Sequence, residues 1–259
     1  MDITMGGRTI RISEQHRRYE HDMRKYFEAY FNSVIPQDTP QGPLVDFSKT
    51  AVHVYPNGVD FLLPSLPEEF TAISSYSKHA TGGRLAFDVG AYAGVSTYDL
   101  SQKYDRVIAF EPDILNRRCL RYNVERHDMK NVVIDSRAMT ATGLPVKFFS
   151  EGALASRLAK DEYVREPLIT VGATTLNEAV SCYGIPDFIG MDIEAAEIEV
   201  LNSSRDLLTR NKISFCIDTN HEENTGWTFG RVESILRECG YTVETGMPGG
   251  FYTTWGWKE

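Results

Sequence analysis

The stretch that most limits what this chain can fold into is residues 85–97, Leu-Ala-Phe-Asp-Val-Gly-Ala-Tyr-Ala-Gly-Val-Ser-Thr. A short apolar run leads into Asp88, glycines follow at 90 and 94, and a segment compatible with a helix begins beyond them. Strand, glycine turn and helix, in that order, open a nucleotide-type cofactor site in α/β folds. Glycine lets the backbone approach a ligand with no Cβ in the way. The new helix directs its free N–H groups at whatever sits there. The pattern departs from the dinucleotide fingerprint G-x-G-x-x-G, because Tyr92 stands where the second glycine would be. The acidic residue lies two positions before Gly90 instead. A carboxylate there suits a ligand with its own ammonium or sulfonium charge and would repel a pyrophosphate. The plainer alternative is a tight turn with a solvated Asp88.

Composition bounds the rest. With 259 residues and 42% hydrophobic content, the chain can bury one sizeable core. We divide it into an N-terminal helical and hairpin extension, 1–80, and a cofactor-binding domain, 81–259. No stretch approaches the roughly 20 apolar residues of a membrane span. Residues 1–18 are polar and lack the apolar segment of a secretory signal, so a cytoplasmic location is expected. Cysteines 119, 182, 216 and 239 are scattered, mostly among apolar neighbours, and read as buried free thiols of a reducing compartment. Their spacing fits no zinc pattern. A net charge of -9 argues against a nucleic acid partner.

Ser13 can cap a helix over 14–32, whose Tyr19, Met23, Tyr26, Phe27, Tyr30 and Phe31 recur at helical spacing. That stripe suits packing against the rest of the chain or against a second copy, giving a homo-oligomer. Residues 36–43 hold three prolines and a glycine and read as a linker. Segments 50–55 and 59–63 flank Pro56-Asn57-Gly58 as a hairpin, and a short helix is expected near 68–79. Beyond Gly83 the pattern alternates, as a mostly parallel sheet requires. Strands are expected at 85–88, 106–110, 132–134, 187–193 and 213–217, and helices at 94–103, 114–127, 176–182, 197–209 and 229–239. Two closing strands, 241–244 and 251–255, follow, with an antiparallel strand at the end of the sheet. Residues 146–149 and 168–171 can form a small antiparallel pair.

Ligands in such sheets sit at the carboxyl ends of the strands. The first strand supplies Asp88, Gly90, Ala91, Tyr92 and Gly94. The second supplies Glu111 and Pro112, and an acid at this distance from the first glycine can accept hydrogen bonds from both hydroxyls of a ribose. The fourth supplies Asp192, Glu194 and Glu197, and the fifth Asp218, Asn220 and His221.

Three blocks together, Phe-Asp-Val-Gly-Ala at 87–91, Ala-Phe-Glu-Pro at 109–112 and Pro-Asp-Phe-Ile-Gly-Met-Asp-Ile-Glu-Ala-Ala-Glu at 186–197, resemble the FkbM family of S-adenosylmethionine-dependent methyltransferases. Thr-Thr-Leu-Asn at 174–177 matches the family's T-T-L-D. The likeness spans about 84–245 and departs from the family at Tyr92, where asparagine is usual, and at Ala195, where glycine is usual. It implies a Rossmann-like class I methyltransferase sheet with S-adenosylmethionine on Asp88, Gly90, Ala91, Tyr92, Gly94, Glu111 and Pro112. It also implies O-methylation of a small molecule, sugar or natural product.

The acceptor hydroxyl must lie in line with the sulfonium methyl and lose its proton. His221 is the candidate base, since imidazole titrates near neutrality, and Asp192 and Glu194 are the other candidates. Asp192, Asp218 and Asn220 offer the hard oxygen ligands that suit Mg²⁺. Two other classes are open. A nicotinamide oxidoreductase shares the strand-turn-helix, but Asp88 would face its pyrophosphate. A non-catalytic cofactor-binding module would leave the polar groups at the fourth and fifth strand ends unexplained.

Overall fold

The computed structural model describes residues 78–149, 168–223, 226–247 and 251–259, together with short strands at Asp2–Met5, Arg8–Arg11, Pro36–Thr39, Gly42–Phe47, Ala51–Val54 and Arg157–Leu158. Its centre is a seven-stranded sheet. We number its strands β1 (Gly83–Val89), β2 (Tyr104–Phe110), β3 (Val132–Asp135), β4 (Phe188–Met191), β5 (Ser214–Asp218), β6 (Thr242–Gly246) and β7 (Thr253–Trp257). The order across the sheet is β6-β7-β5-β4-β1-β2-β3. Five strands run parallel, and β7 pairs antiparallel with both β5 and β6. The helices are α1 (Val95–Ser101), α2 (Ile114–Arg126), α3 (Leu176–Tyr183), α4 (Glu197–Ser203), α5 (Arg205–Arg210) and α6 (Phe229–Glu238).

The central strands read as continuous apolar runs because both of their faces are covered. In β1, Leu85, Ala86, Phe87, Asp88 and Val89 are all buried, and so is every residue of β4. Alternation sends successive side chains to opposite faces. Phe87, Phe110 and Phe215 enter one core with Ile198 and Leu201 of α4, Leu208 of α5 and Val232, Ile235 and Leu236 of α6. Ala86 and Phe188 enter the other with Leu100 of α1, Tyr104 and Trp255. Phe87 meets Phe110 edge to face at 5.5 Å. In α6 the buried positions 232, 235 and 236 are three and four apart, the spacing of one helix face.

Several expectations need correction. The segment 36–43 is not a linker. Pro36–Thr39 pairs antiparallel with Gly42–Phe47, and that strand pairs in turn with Ala51–Val54. Two of the three prolines sit in strands, Pro36 as the first residue of one and Pro43 as the second of the next, and did not stop pairing; Pro40 lies outside the described residues. Residues 59–63, the expected partner of 50–55, lie outside the described residues, as do the helix over 14–32 and nearly all of 68–79. The single helix expected over 197–209 is two, α4 and α5, broken at Ser204, whose φ of -114° is not helical. The antiparallel pair Val146–Phe149 with Leu168–Val171 is present, and Arg157–Leu158 extends it to three strands. All four cysteines are free; Cys119, Cys216 and Cys239 are buried and Cys182 is exposed.

Candidate active site

The chain reverses the direction of strand addition between β1 and β4, and ligands in open α/β sheets bind in the crevice at such a point. A solvent-open cleft lies there. Its walls include Gly90 and Tyr92 after β1, Glu111 and Pro112 after β2, and Asp192 after β4. Five residues named from the sequence therefore share one cleft. Asn116, Arg137, Met139 and Phe148 line it too and were not anticipated. The general rule about strand ends would have found the Arg137 region, since it follows β3. Nothing in the sequence marked Phe148, which reaches the cleft from the small antiparallel sheet.

The turn after β1 is fixed by packing. The N–H groups of Gly90 and Ala91 both donate to the Phe110 carbonyl at 3.0 Å, and Asp192 N–H donates to the Val89 carbonyl at 2.9 Å. Gly90 has φ +87°, and a Cβ there would lie 1.9 Å from the Asp192 carbonyl oxygen. Gly94, with φ +100°, precedes α1, and a Cβ on it would meet Leu120 at 2.8 Å. These glycines admit neighbouring protein atoms.

Asp88 is fully buried and accepts hydrogen bonds from the hydroxyls of Ser96 and Thr97 in the first turn of α1. Burial pushes its pKa up to about 6, against the pull of those two bonds. Glu111, 4% exposed, bridges two turns: one carboxylate oxygen accepts from Tyr92 N–H and the other from Asp113 N–H, each at 2.8 Å. Burial pushes its pKa up to about 8, outweighing both bonds. The Asn116 side chain donates to the same carboxylate.

At the ends of β4 and β5 four carboxylates gather around one imidazole. His221 Nε2 lies 3.7 Å from Asp192 and 3.7 Å from Glu194, and its Nδ1 lies 3.6 Å from Glu197 Oε1. Glu197 is wholly buried and accepts from Ile193 N–H at 2.8 Å. Asp192 sits above the ordinary carboxylate range, through removal from bulk water and then through the charges of Asp218, Glu194, Glu197 and Asp88. Its side chain is 43% open to solvent, so the crowding of like charges is the cause the geometry supports best. Burial also raises Asp218, against the pull of His221.

The loop that carries this group is strained. Glu194 and Ala195 have φ of 56° and 71°, the left-handed region. Among the described residues, Asp192, Glu197 and His221 each offer an atom within 4.8 Å of the others, a grouping that could hold a metal ion. That differs from the set anticipated. Asp218 accepts from Asn220 N–H at 2.8 Å, and the Asn220 amide oxygen accepts from Tyr252 N–H at 3.3 Å.

A sheet of order β6-β7-β5-β4-β1-β2-β3 with a cleft at the β1–β4 reversal is that of the class I methyltransferases. A family model, the methyltransferase FkbM domain, matches residues 88–243, and the chain belongs to that family. A solved FkbM methyltransferase from Methylobacillus flagellatus aligns at 18% identity and a TM-score of 0.51, over 68% of this chain and 44% of that one. The present chain thus covers under half of that protein's length. Precorrin-6y C5,15-methyltransferase from Geobacter metallireducens aligns at 15% identity and a TM-score of 0.48, over 74% of this chain and 88% of that one. TYW2 of M. jannaschii, solved with AdoMet, aligns at 11% identity and a TM-score of 0.49, over 86% and 98%. No curated protein matches. Among the described residues no helix is long and apolar enough to cross a membrane.

Proposed function

We propose that this chain transfers the methyl group of S-adenosylmethionine to a hydroxyl of a small molecule, sugar or natural product. The observation that carries the reading is the cleft at the β1–β4 reversal, walled by Gly90, Tyr92, Glu111 and Pro112 and bordered by Asp192. Asp192 joins that cleft to His221, 3.7 Å away. In this reading Glu111 accepts the ribose hydroxyls, and Asp88 supports the turn and places negative charge near the cofactor's ammonium and sulfonium groups. Gly90, Ala91 and Gly94 shape the turn around the cofactor. His221 takes the acceptor's proton, with Asp192 and Glu194 placing the acceptor. In the transfer the acceptor's O–H bond breaks and its proton goes to the imidazole. S-adenosylmethionine, when bound, would supply an electrophilic methyl on sulfur to that oxygen and leave as a neutral thioether.

Calorimetric titration with S-adenosylhomocysteine and with NADH tests the cofactor. Binding of the first alone supports the reading, and binding of NADH alone sinks it. His221→Ala should leave S-adenosylhomocysteine affinity within a few-fold of the parent and lower turnover by about 10²–10⁴-fold. Parental turnover in that variant would remove His221 from the chemistry. The mechanism routes no step through Mg²⁺ at Asp192, Asp218 and Asn220; a rate lost on chelation and restored by Mg²⁺ would bring that ion in. A homo-oligomer formed through residues 14–32 is a separate proposal, and sedimentation at the 29.2 kDa monomer mass would refute it.

A further inference from the structure

Two buried polar atoms beside the cleft are without hydrogen-bond partners: Nδ1 of His221 and Oε2 of Glu197. They belong to groups that face each other. Glu197 Oε1 stands 3.6 Å from that Nδ1, somewhat beyond hydrogen-bond length. Buried groups left unsatisfied in this way call for an explanation. A water between Nδ1 and Oε1 is a poor one, since a gap of 3.6 Å leaves no room for it. The Glu197 side chain is completely buried, and Ile193 N–H pins its carboxylate. On the other side of the ring Nε2 faces Asp192 and Glu194 at 3.7 Å.

We propose that Glu197 is the positioning residue of His221: its buried carboxylate keeps the imidazole proton on Nδ1 and leaves the Nε2 lone pair facing the acceptor. Free imidazole side chains carry no such fixed assignment; the partner of one nitrogen decides the protonation of the other. A shift of a few tenths of an ångström closes the Nδ1–Glu197 gap to hydrogen-bond length, and catalytic hydrogen bonds are often long before substrate binds. When Nε2 takes the acceptor's proton, the imidazolium that forms meets a carboxylate already in place, as in hydrolase triads. Glu197 reaches neither substrate nor cofactor in this scheme. The proton-transfer consequence rests on the methyl-transfer reading; the tautomer does not.

The test is ¹⁵N NMR of the full chain with labelled histidine, His221 being assigned from His221→Ala. The parent should show Nδ1 protonated and Nε2 bare. Glu197→Gln keeps shape and an acceptor for Ile193 N–H but removes the charge, so the ratio of the two tautomers should fall several-fold. Glu197→Met removes the acceptor altogether and should shift it further. Circular dichroism and S-adenosylhomocysteine binding check that the variants are folded, and the glutamine variant decides if the methionine variant is not. An unchanged ratio in folded Glu197→Gln, or a parent protonated on Nε2, overturns the proposal. So does stoichiometric Mn²⁺ that broadens the His221 signals in the parent and not in Glu197→Gln, which would make the pair metal ligands. Loss of S-adenosylhomocysteine binding in the parent itself would instead strike the cofactor reading and leave the tautomer result standing.

Discussion

Glu111 carries a measurable consequence of its burial. Its folded pKa of about 8 lies above the ordinary 4.5, so between those values the folded chain holds a proton that the unfolded chain has lost. Stability is therefore greatest below the lower value and declines as pH rises through the window, by up to about 1.4 kcal/mol per pH unit from this group. Urea unfolding at pH 5, 6, 7 and 8 should show that decline in the parent and a flatter profile in Glu111→Gln. Equal slopes would contradict it. In the proposed complex the ribose hydroxyls donate to the ionised carboxylate, so S-adenosylhomocysteine should bind more tightly from pH 6 to 8. Glu111→Ala should lose about 10- to 100-fold in that affinity.

Ala195 makes the opposite kind of prediction, since a left-handed φ of 71° costs a residue with a Cβ about 1–2 kcal/mol. Ala195→Gly should raise the melting temperature by a few degrees, net of glycine's entropy in the unfolded chain. A lower melting temperature would show that the Cβ packs usefully. The sequence marked Ala195 as a departure from the family without showing why glycine is usual; the backbone angle supplies the reason. It marked Gly90 as a turn residue but did not show the Asp192 carbonyl beside it, a contact between segments about a hundred residues apart.

At the scale of elements, the parallel strands were legible because burial on both faces leaves a plain apolar signature. Helix starts and breaks were less so. The break at Ser204 has no glycine or proline to announce it. Ser204 is 1% exposed and its hydroxyl has no partner, so Ser204→Ala should be neutral or gain about 1 kcal/mol. The start of α3 is held by a reciprocal cap: Thr175 accepts from Glu178 N–H at 3.1 Å, and Glu178 accepts from Thr175 N–H at 2.8 Å. Thr175→Ala should cost about 1 kcal/mol in chemical denaturation. An unchanged midpoint would assign the start of α3 to packing of Leu176 and Ala179 alone. The strands at 36–39 and 42–47 escaped the sequence reading because prolines were taken as breaks, whereas Pro36 opens an edge strand and Pro43 lies just before the part of its strand that pairs on both sides.

For the whole molecule, the order of strands across the sheet was the least legible property, because it depends on pairings between distant segments. Yet that order fixes the cleft, and it has a consequence for biosynthesis. Strand β7 follows β6 in the chain but lies between β5 and β6. While the polypeptide emerges from a ribosome, β5 presents a bare edge, and β6 cannot cover it without blocking the place reserved for β7. The interval is roughly 40 residues of synthesis, a few seconds at typical rates. During it, the Phe215-Cys216-Ile217 edge is open to any passing strand. Chaperone-free translation should therefore yield more aggregate when elongation is slowed between codons 218 and 257 than when it is slowed by the same time upstream of codon 80.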